Sequence, residues 1–154
     1  MNFPFLRHLP SLGRPPLHRV VAATGAAAAE AALRHLLAEL PELLLVMVAE
    51  TESGQVLASY TSQPQLKPGS TTPFWRAIVQ QLHASQAAQG QADEQLSELL
   101  TTLASQLHLL RLQPGGQQFI YLVVDAHETN LALARELMQQ ATKLLIASNK
   151  QLLD

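Results

Sequence analysis

The amino-acid sequence predicts an α+β domain in which helices flank a short sheet. Two runs, Leu43–Ala49 and Gln118–Val124, are apolar without alternation and too short for most helices, which is typical of strands covered on both faces. Other segments carry apolar residues at helical spacing. The chain has 154 residues, of which 47% are hydrophobic and 14% charged, so it has the material for one core.

The first half of the chain predicts a helix followed by a hairpin. Apolar side chains recur at helical spacing through Thr24–Leu40, whose first residue is a suitable N-cap, and Pro41 ends the helix because its ring cannot continue the ladder. After the buried strand Leu43–Ala49 comes a turn in which Gly54 is free to adopt positive φ. Gln55–Thr61 alternates apolar and polar residues, which indicates a second strand with one wetter face.

A second helix is predicted to start near Thr72, with Pro73 in its first turn, and to run to about Gln89. It carries more apolar side chains than one core-facing stripe needs. The surplus suggests an interface, and a thick core explains it equally well. Phe74, Ile78 and Leu82 form one stripe with Trp75 and Val79 beside it, while Arg76, Gln80 and His83 fall on the more polar side.

The segment Leu96–Leu112 has two competing interpretations. Its leucines recur at the spacing of an amphipathic helix, and periodicity by itself favours that structure. The alternative is a hairpin of Leu96–Leu103 and Gln106–Leu112. Ala104–Ser105 is poor chemistry for a tight hairpin turn, where Asn-Gly is the common choice.

The last third of the chain predicts a central strand and a helix. Gln113–Gly116 is a turn, and Gln118–Val124 is rich in β-branched and aromatic residues, as a buried strand requires. Asp125 and Glu128 resemble a capping box, which starts a final helix that runs to about Ser148.

Residues 1–20 differ in composition from the rest of the chain. They contain several prolines, three arginines and no acidic residue, so we expect a flexible, basic, Pro-rich tail ahead of a domain at residues 21–154. A frayed terminus is the favoured interpretation. The alternative is a docking arm with an apolar tip of Phe3, Phe5 and Leu6.

The sequence offers no constellation for catalysis, and we expect a non-enzymatic protein without cofactor or metal. Cysteine is absent, which excludes disulfides, thiolate metal sites and cysteine nucleophiles. No glycine-rich phosphate motif follows a strand. His35 and Glu39 have a spacing that metals use, but no third ligand is nearby, so a solvated helix face is the favoured interpretation.

Charge and hydropathy exclude two further classes of partner. The formal net charge of −2 and the 5% of aromatic residues give no signature of nucleic-acid binding. No apolar run is long enough to span a membrane, and the first residues lack the features of a secretion signal. We therefore expect a cytoplasmic protein.

Three runs carry an ordered pattern: LPELLLVMVAETESGQVLASY (40–60), LSELLTTLASQLHLLRL (96–112) and FIYLVVDAHETNLALARELM (119–138). The most specific piece is Asn130–Arg135, which follows an apolar strand ending in Asp125. This pattern resembles the roadblock/dynein-light-chain family, and in particular its bacterial MglB-like regulators of small Ras-like GTPases. The resemblance covers about Ala26–Leu145.

The resemblance implies a roadblock (profilin-like) fold with a five-stranded antiparallel sheet, in the order helix, two strands, helix, three strands, helix. It makes Leu96–Leu103 and Gln106–Leu112 the third and fourth strands, and Phe119–Val124 the fifth. We therefore prefer strands to the helix that periodicity favours, because tertiary context routinely overrides propensity.

The resemblance also implies a homodimer. In the family, the third strand pairs with its symmetry mate and the second helices pack across the axis, which fits the self-complementary contact of a twofold assembly. Gln95–Thr102 would form the paired edge. The implied interface residues are Trp75, Val79, Leu82, His83, Leu96, Glu98, Leu100 and Thr102.

The implied function is that of a non-catalytic regulator that binds a small Ras-like GTPase on its helical face, either as a GTPase-activating protein or as a scaffold. Arg76, Gln80 and His83 are the expected contacts. Regulators of this type hold the GTPase's own switch residues in place, so Arg76 and Arg135 are not expected to act as arginine fingers. The alternative is a profilin-like sensor or adaptor for a peptide or small ligand, which a cavity lined by convergent polar groups would support.

Overall fold

The computed structural model describes residues 20–151 and the side chains of residues 20–147, so all of the predicted tail (residues 1–20) except Val20 lies outside the described residues. Six strands form one sheet in the order β1-β3-β2-β6-β5-β4, and every neighbouring pair is antiparallel. In chain order the elements are β1 (Val21–Ala22), α1 (Ala27–Glu39), β2 (Leu43–Glu50), β3 (Val56–Thr61), α2 (Pro68–Ala88), β4 (Glu98–Thr102), β5 (Gln106–Leu112), β6 (Gln118–Asp125) and α3 (Leu131–Gln151).

The helices divide between the two faces of the sheet. Helices α1 and α3 pack on one face, against strand residues such as Val46, Leu109 and Leu122. Helix α2 covers the other face, where Met47 and Leu110 belong to a second core cluster. Because successive strand residues point to opposite faces, β2, β5 and β6 need apolar side chains at nearly every position, which explains their lack of alternation.

The segment Leu96–Leu112 forms strands, so the helix that periodicity alone favours is wrong there. Leu107 and Leu109 point towards α1 and α3, whereas Leu110 and Leu112 point towards α2. A helix in this place would bury one stripe, but the strand β5 lies between β4 and β6 and buries both of its faces. The turn closes with the Leu103 N–H donating to the Gln106 carbonyl oxygen at 2.8 Å.

The N-terminal boundaries of two helices differ from the sequence prediction. Helix α1 begins at Ala27 with Ala26 as its N-cap, and no side chain caps it, so the N-cap assigned to Thr24 is wrong. Helix α2 begins at Pro68, about one turn before the start predicted near Thr72, and Pro73 lies inside the helix. Pro68 is suited to the first helical position, since its missing N–H has no intrahelical partner there.

The start of α3 also differs from the prediction. The Asp125 carboxylate accepts hydrogen bonds from the backbone N–H groups of His127 and Glu128, which forms a turn before the helix. The helix itself starts at Leu131, and the Asn130 side-chain oxygen accepts a hydrogen bond from the Leu133 N–H at 3.1 Å. Asn130 is therefore the N-cap.

One element has no counterpart in the predicted order. Val21 and Ala22 form β1, which pairs with Ser59 and Ala58 of β3 at the edge of the sheet. Val20 packs partly against the α1–α3 side of the core. Within residues 20–151 the sheet therefore has six strands, where the resemblance implies five.

Candidate interaction surface

One face of α2 belongs to the core of the chain. Thr72, Trp75 and Val79 are buried against the sheet, and the Trp75 side chain is only 5% exposed. Its ring lies 4.9 Å from the ring of Tyr121, measured between centroids. The dimer contact predicted for Trp75 and Val79 does not fit this burial, because these side chains have almost no surface left for a second chain.

The neighbouring face of α2 is apolar and open. Phe74 is 61% exposed, although large hydrophobic side chains are usually buried, and Ile78 and Leu82 are half-buried. Together with one strand residue, these side chains line an open depression with almost no polar surface. We call it the apolar groove; it consists of Phe74, Ala77, Ile78, Gln81 and Leu82 from α2 and Leu99 from β4.

The strand β4 has an unpaired edge beside this groove. The Ser97 carbonyl oxygen and the Leu103 N–H group form hydrogen bonds with β5. In an antiparallel pair, residues whose backbone groups point to the neighbouring strand alternate with residues whose backbone groups point away from it. The backbone N–H and C=O groups of Glu98, Leu100 and Thr102 therefore point away from β5. No strand among the described residues pairs with that side, which leaves a template for another strand.

The side chain of Glu98 ties this edge to the rest of the domain. One carboxylate oxygen lies 3.0 Å from Arg111 Nη1 on β5, and the other lies 2.7 Å from Arg135 Nε on α3. The Glu98 side chain thus points to the α1–α3 face and is nearly buried. Its backbone remains available at the edge, although its carboxylate is already paired.

The remaining predicted interface residues lie around the same edge. Leu100 is 41% exposed and lies at the centre of β4. Thr102 is exposed at its end, and Leu96 is half-buried against the α2 side of the core. His83 and Leu82 lie further along α2, the first exposed and the second in the apolar groove.

The three predicted GTPase contacts differ in how free their side chains are. The Arg76 guanidinium donates to the backbone carbonyl oxygens of Thr51 (3.0 Å) and Glu52, so it holds the turn between β2 and β3. Gln80 and His83 are exposed on α2. The structure thus gives Arg76 a role within the chain.

Sequence reasoning missed part of the groove, namely Ala77, Gln81 and Leu99. The sequence predicts an apolar stripe of Phe74, Ile78 and Leu82 and suggests an interface on this helix, but of these three residues only Leu82 is among the implied interface residues. The available signal was the second apolar stripe of Trp75 and Val79 beside the first one. Two adjacent apolar stripes on one helix cannot both face the same sheet.

Candidate metal and membrane features are absent from the described part of the chain. Within residues 20–151, no group of three or more His, Cys, Asp or Glu residues could hold a metal ion. His35 on α1 instead pairs with Gln140 on α3, with 3.0 Å between His35 Nε2 and Gln140 Oε1. No helix in this range is long and apolar enough to cross a membrane.

The fold can be compared with known proteins. No family model and no curated protein matches the chain in sequence. Among solved structures, Myxococcus xanthus MglB superposes with a TM-score of 0.73 at 14% identity, over 86% of this chain and 95% of that one. A roadblock/LC7 domain from Streptomyces avermitilis gives 0.61 at 12% identity, over 84% and 98%.

This chain has the roadblock fold. The gliding protein MglB from Thermus thermophilus has it as well, with a TM-score of 0.62 at 18% identity, over 77% of this chain and 88% of that one. The roadblock fold predicted from the resemblance is therefore confirmed, with β1 as an additional two-residue strand.

Proposed function

We propose that the protein is a non-catalytic, homodimeric regulator that binds a small Ras-like GTPase. The observation that carries the proposal is the continuity of two unpaired surfaces, the open edge of β4 and the apolar groove, which meet at Leu99. The roadblock fold and the sequence resemblance to MglB-like regulators support the choice of partner.

The open edge suits pairing between two identical chains. In an antiparallel twofold pairing centred on Leu100, each Leu100 lies opposite its copy and Glu98 lies opposite Thr102 of the partner. All three outward-facing N–H groups of β4 then find a carbonyl oxygen. The two apolar grooves come to lie on the same face of one continuous sheet, so that the α2 helices cover each other's exposed phenylalanine.

The GTPase contact is proposed for the helical face of this dimer. Gln80 and His83 are exposed there and are free to contact a partner, whereas Arg76 is engaged by the turn. A protein that binds the switch regions without a catalytic side chain can act by fixing the active arrangement of the GTPase or by holding it in place.

The test measures binding and turnover together. Purified bacterial small Ras-like GTPases, loaded with GDP or with a non-hydrolysable GTP analogue, are titrated with the full chain, and GTP hydrolysis is followed at saturation. Preferential binding to the GTP form with faster hydrolysis supports an activator, and the same binding without faster hydrolysis supports a scaffold. Equal or absent binding in both nucleotide states contradicts the proposal.

A matched pair of variants makes the test specific to the proposed surface. Gln80→Glu changes an exposed side chain on α2 and is expected to weaken GTPase binding. Gln139→Glu makes the same change at an exposed position on α3, on the opposite face of the sheet, and is expected to leave it unchanged. Loss of binding in both variants would point to a different surface.

A further inference from the structure

The face of the sheet opposite the apolar groove is only partly covered by helices. Helix α1 lies over β1, β2 and β3, and α3 lies over β5. Because side chains alternate along a strand, Leu100 and Thr102 of β4 point to this face together with Glu98. Leu100 and Thr102 are exposed, although Leu109, the neighbour of Leu100 on β5, is fully buried. The helical cover therefore ends before β4, and we call the exposed face of this strand the open strip.

Three cationic side chains border the open strip, and one carboxylate lies among them. Arg111 on β5 and Arg135 on α3 both contact the Glu98 carboxylate, at 3.0 Å and 2.7 Å, so two guanidinium groups share one negative charge. Lys143 follows Arg135 on α3 and, with Arg111, lines a depression of about 240 Å³ between α3 and the start of β4. The strip thus has an excess of positive charge, whereas the chain as a whole has a formal net charge of −2.

The other acidic side chain of α3 does not neutralise this charge. Glu136 Oε1 accepts a hydrogen bond from Gln140 Nε2, and the side-chain oxygen of Gln140 pairs with His35 on α1. Glu136 is therefore held on the side of α3 that faces α1. The positive charge at the open strip remains available to a ligand.

The twofold pairing of β4 joins two open strips into one surface. The two copies of Leu100 lie at its centre, and an Arg135–Glu98 pair lies towards each end. Two neighbouring strands are about 10 Å wide, and packed helices lie about 8–10 Å apart. The gap between the two α3 helices therefore has the width of one further helix.

We propose that this surface binds one amphipathic helix of a partner protein, with an apolar centre and acidic side chains on both flanks. The apolar side chains cover the two copies of Leu100, and the carboxylates accept hydrogen bonds from Arg135 and Lys143. The chain's own segment 1–20 does not fit, because it carries three arginines and no acidic residue. This inference rests on the dimer of the proposed function, but its site is on the face of the sheet opposite α2.

The test uses three designed peptides of about 18 residues, a length of about 27 Å as a helix. The acidic peptide has a leucine stripe flanked by glutamates. The basic peptide has lysine at each glutamate position, which keeps the helix propensity similar. The scrambled peptide has the composition of the acidic one without the stripe.

Fluorescence anisotropy with the full chain measures the binding of each peptide. The acidic peptide is expected to saturate at one peptide per two chains, and the basic and scrambled peptides are expected to bind at least tenfold more weakly. Absence of binding by the acidic peptide overturns the proposal. Equal binding by the acidic peptide and either of the others overturns it as well.

Matched variants locate the peptide on the open strip. Arg135→Gln removes one charge from each flank and is expected to weaken the acidic peptide at least tenfold, because a charged hydrogen bond is lost at both ends. Arg34→Gln is the control, since Arg34 on α1 is also paired with a glutamate and its side chain has the same exposure, 56%. Lys143→Gln provides a second test at an exposed residue. Unchanged affinity in both Arg135→Gln and Lys143→Gln, or an equal loss in Arg34→Gln, overturns the proposal.

Two further measurements separate this inference from the proposed function. In sedimentation velocity, a dimer that binds the GTPase but not the acidic peptide overturns the helix site alone, whereas a monomeric chain overturns the dimer and the helix site together. Saturation with the GTPase is expected to leave peptide binding unchanged, since the proposed GTPase contacts lie on α2. Displacement of the peptide by the GTPase overturns the proposal.

Discussion

At the scale of single residues, the turn between β2 and β3 depends on Gly54. Its φ of +74° lies in the left-handed region, and a Cβ there would come within 3.0 Å of Arg76 Cδ and 3.2 Å of Thr72 Cγ2. Gly54→Ala therefore adds a steric conflict to the backbone strain. We expect a loss of about 1–3 kcal/mol in the free energy of unfolding, measured by urea denaturation.

Gly90→Ala is the matched control for this prediction. Gly90 has a nearly identical φ of +72°, but a Cβ there meets nothing within 4 Å. The difference between the two variants isolates the contact with Arg76 and Thr72, since the backbone strain is the same. Equal destabilisation in both would show that the Arg76 side chain moves away at no cost.

A second residue-scale feature is the pair of His108 and Tyr121. His108 Nε2 lies 3.1 Å from Gln106 Oε1, an atom that only accepts, so Nε2 carries the proton and Nδ1 accepts from the Tyr121 hydroxyl at 2.6 Å. This arrangement needs a neutral histidine and a neutral tyrosine. Burial lowers the pKa of His108 below its ordinary value of 6.5 and raises the pKa of Tyr121 to about 12.

Both shifts predict a pH dependence of stability. As the pH falls below 6.5, the unfolded chain binds a proton at His108 before the folded chain does, so the free energy of unfolding falls. As the pH rises above 10, the unfolded chain loses the Tyr121 proton first, and the free energy of unfolding falls again. Urea denaturation across this range measures both slopes. His108→Gln should flatten the acid slope and Tyr121→Phe the alkaline one, and unaltered slopes would contradict the assignment.

At the scale of elements, the existence of most helices and strands follows from the sequence, but their ends do not. The apolar runs of β2 and β6 were recognisable because two covered faces leave no polar position. Helix starts were less predictable, since Thr24 has the chemistry of a cap and yet lies in the turn before α1. Which residue caps a helix depends on where the chain turns into it, and tertiary packing sets that point.

The caps give a direct test at this scale. Asn130→Ala removes the hydrogen bond to the Leu133 N–H at the start of α3 and is expected to cost about 1 kcal/mol of unfolding free energy. Thr24→Ala alters an exposed residue that caps nothing, and is expected to change stability by less than about 0.5 kcal/mol. Denaturation curves of the two variants measure both losses of unfolding free energy. A larger loss in Thr24→Ala than in Asn130→Ala would contradict these assignments and favour Thr24 as a cap.

The orientation of α2 shows why the candidate surface was only partly predictable. Two apolar stripes lie side by side on this helix, and composition does not say which of them faces the sheet. Contact with the Tyr121 ring selects Trp75 for the core, and Phe74 is left outside. The partner of a helix face is a tertiary property, so the sequence could indicate a surplus of apolar surface but could not assign it to residues.

At the scale of the whole molecule, the two edges of the sheet are not equivalent. The short strand β1 covers part of β3 at one edge. At the other edge, the outward-facing backbone groups of Glu98, Leu100 and Thr102 on β4 have no strand partner among the described residues. A long open edge next to apolar surface invites association unless it is blocked by charge, proline or a bulge. The Glu98 carboxylate does not block it, because Arg111 and Arg135 hold that side chain on the face of the sheet.

The last prediction concerns the assembly. In a twofold pairing of β4, Leu100→Lys brings two ammonium groups together at the axis, where like charges directly opposite are destabilising. We expect the variant to be a monomer at concentrations where the unaltered chain is a dimer, as measured by sedimentation velocity. Leu133→Lys makes the same change at a residue of similar exposure on α3, 48% against 41%, and is expected to stay dimeric. A dimer that survives Leu100→Lys, or that dissociates equally in both variants, would exclude β4 as the site of pairing and leave the apolar groove to be covered by a different partner.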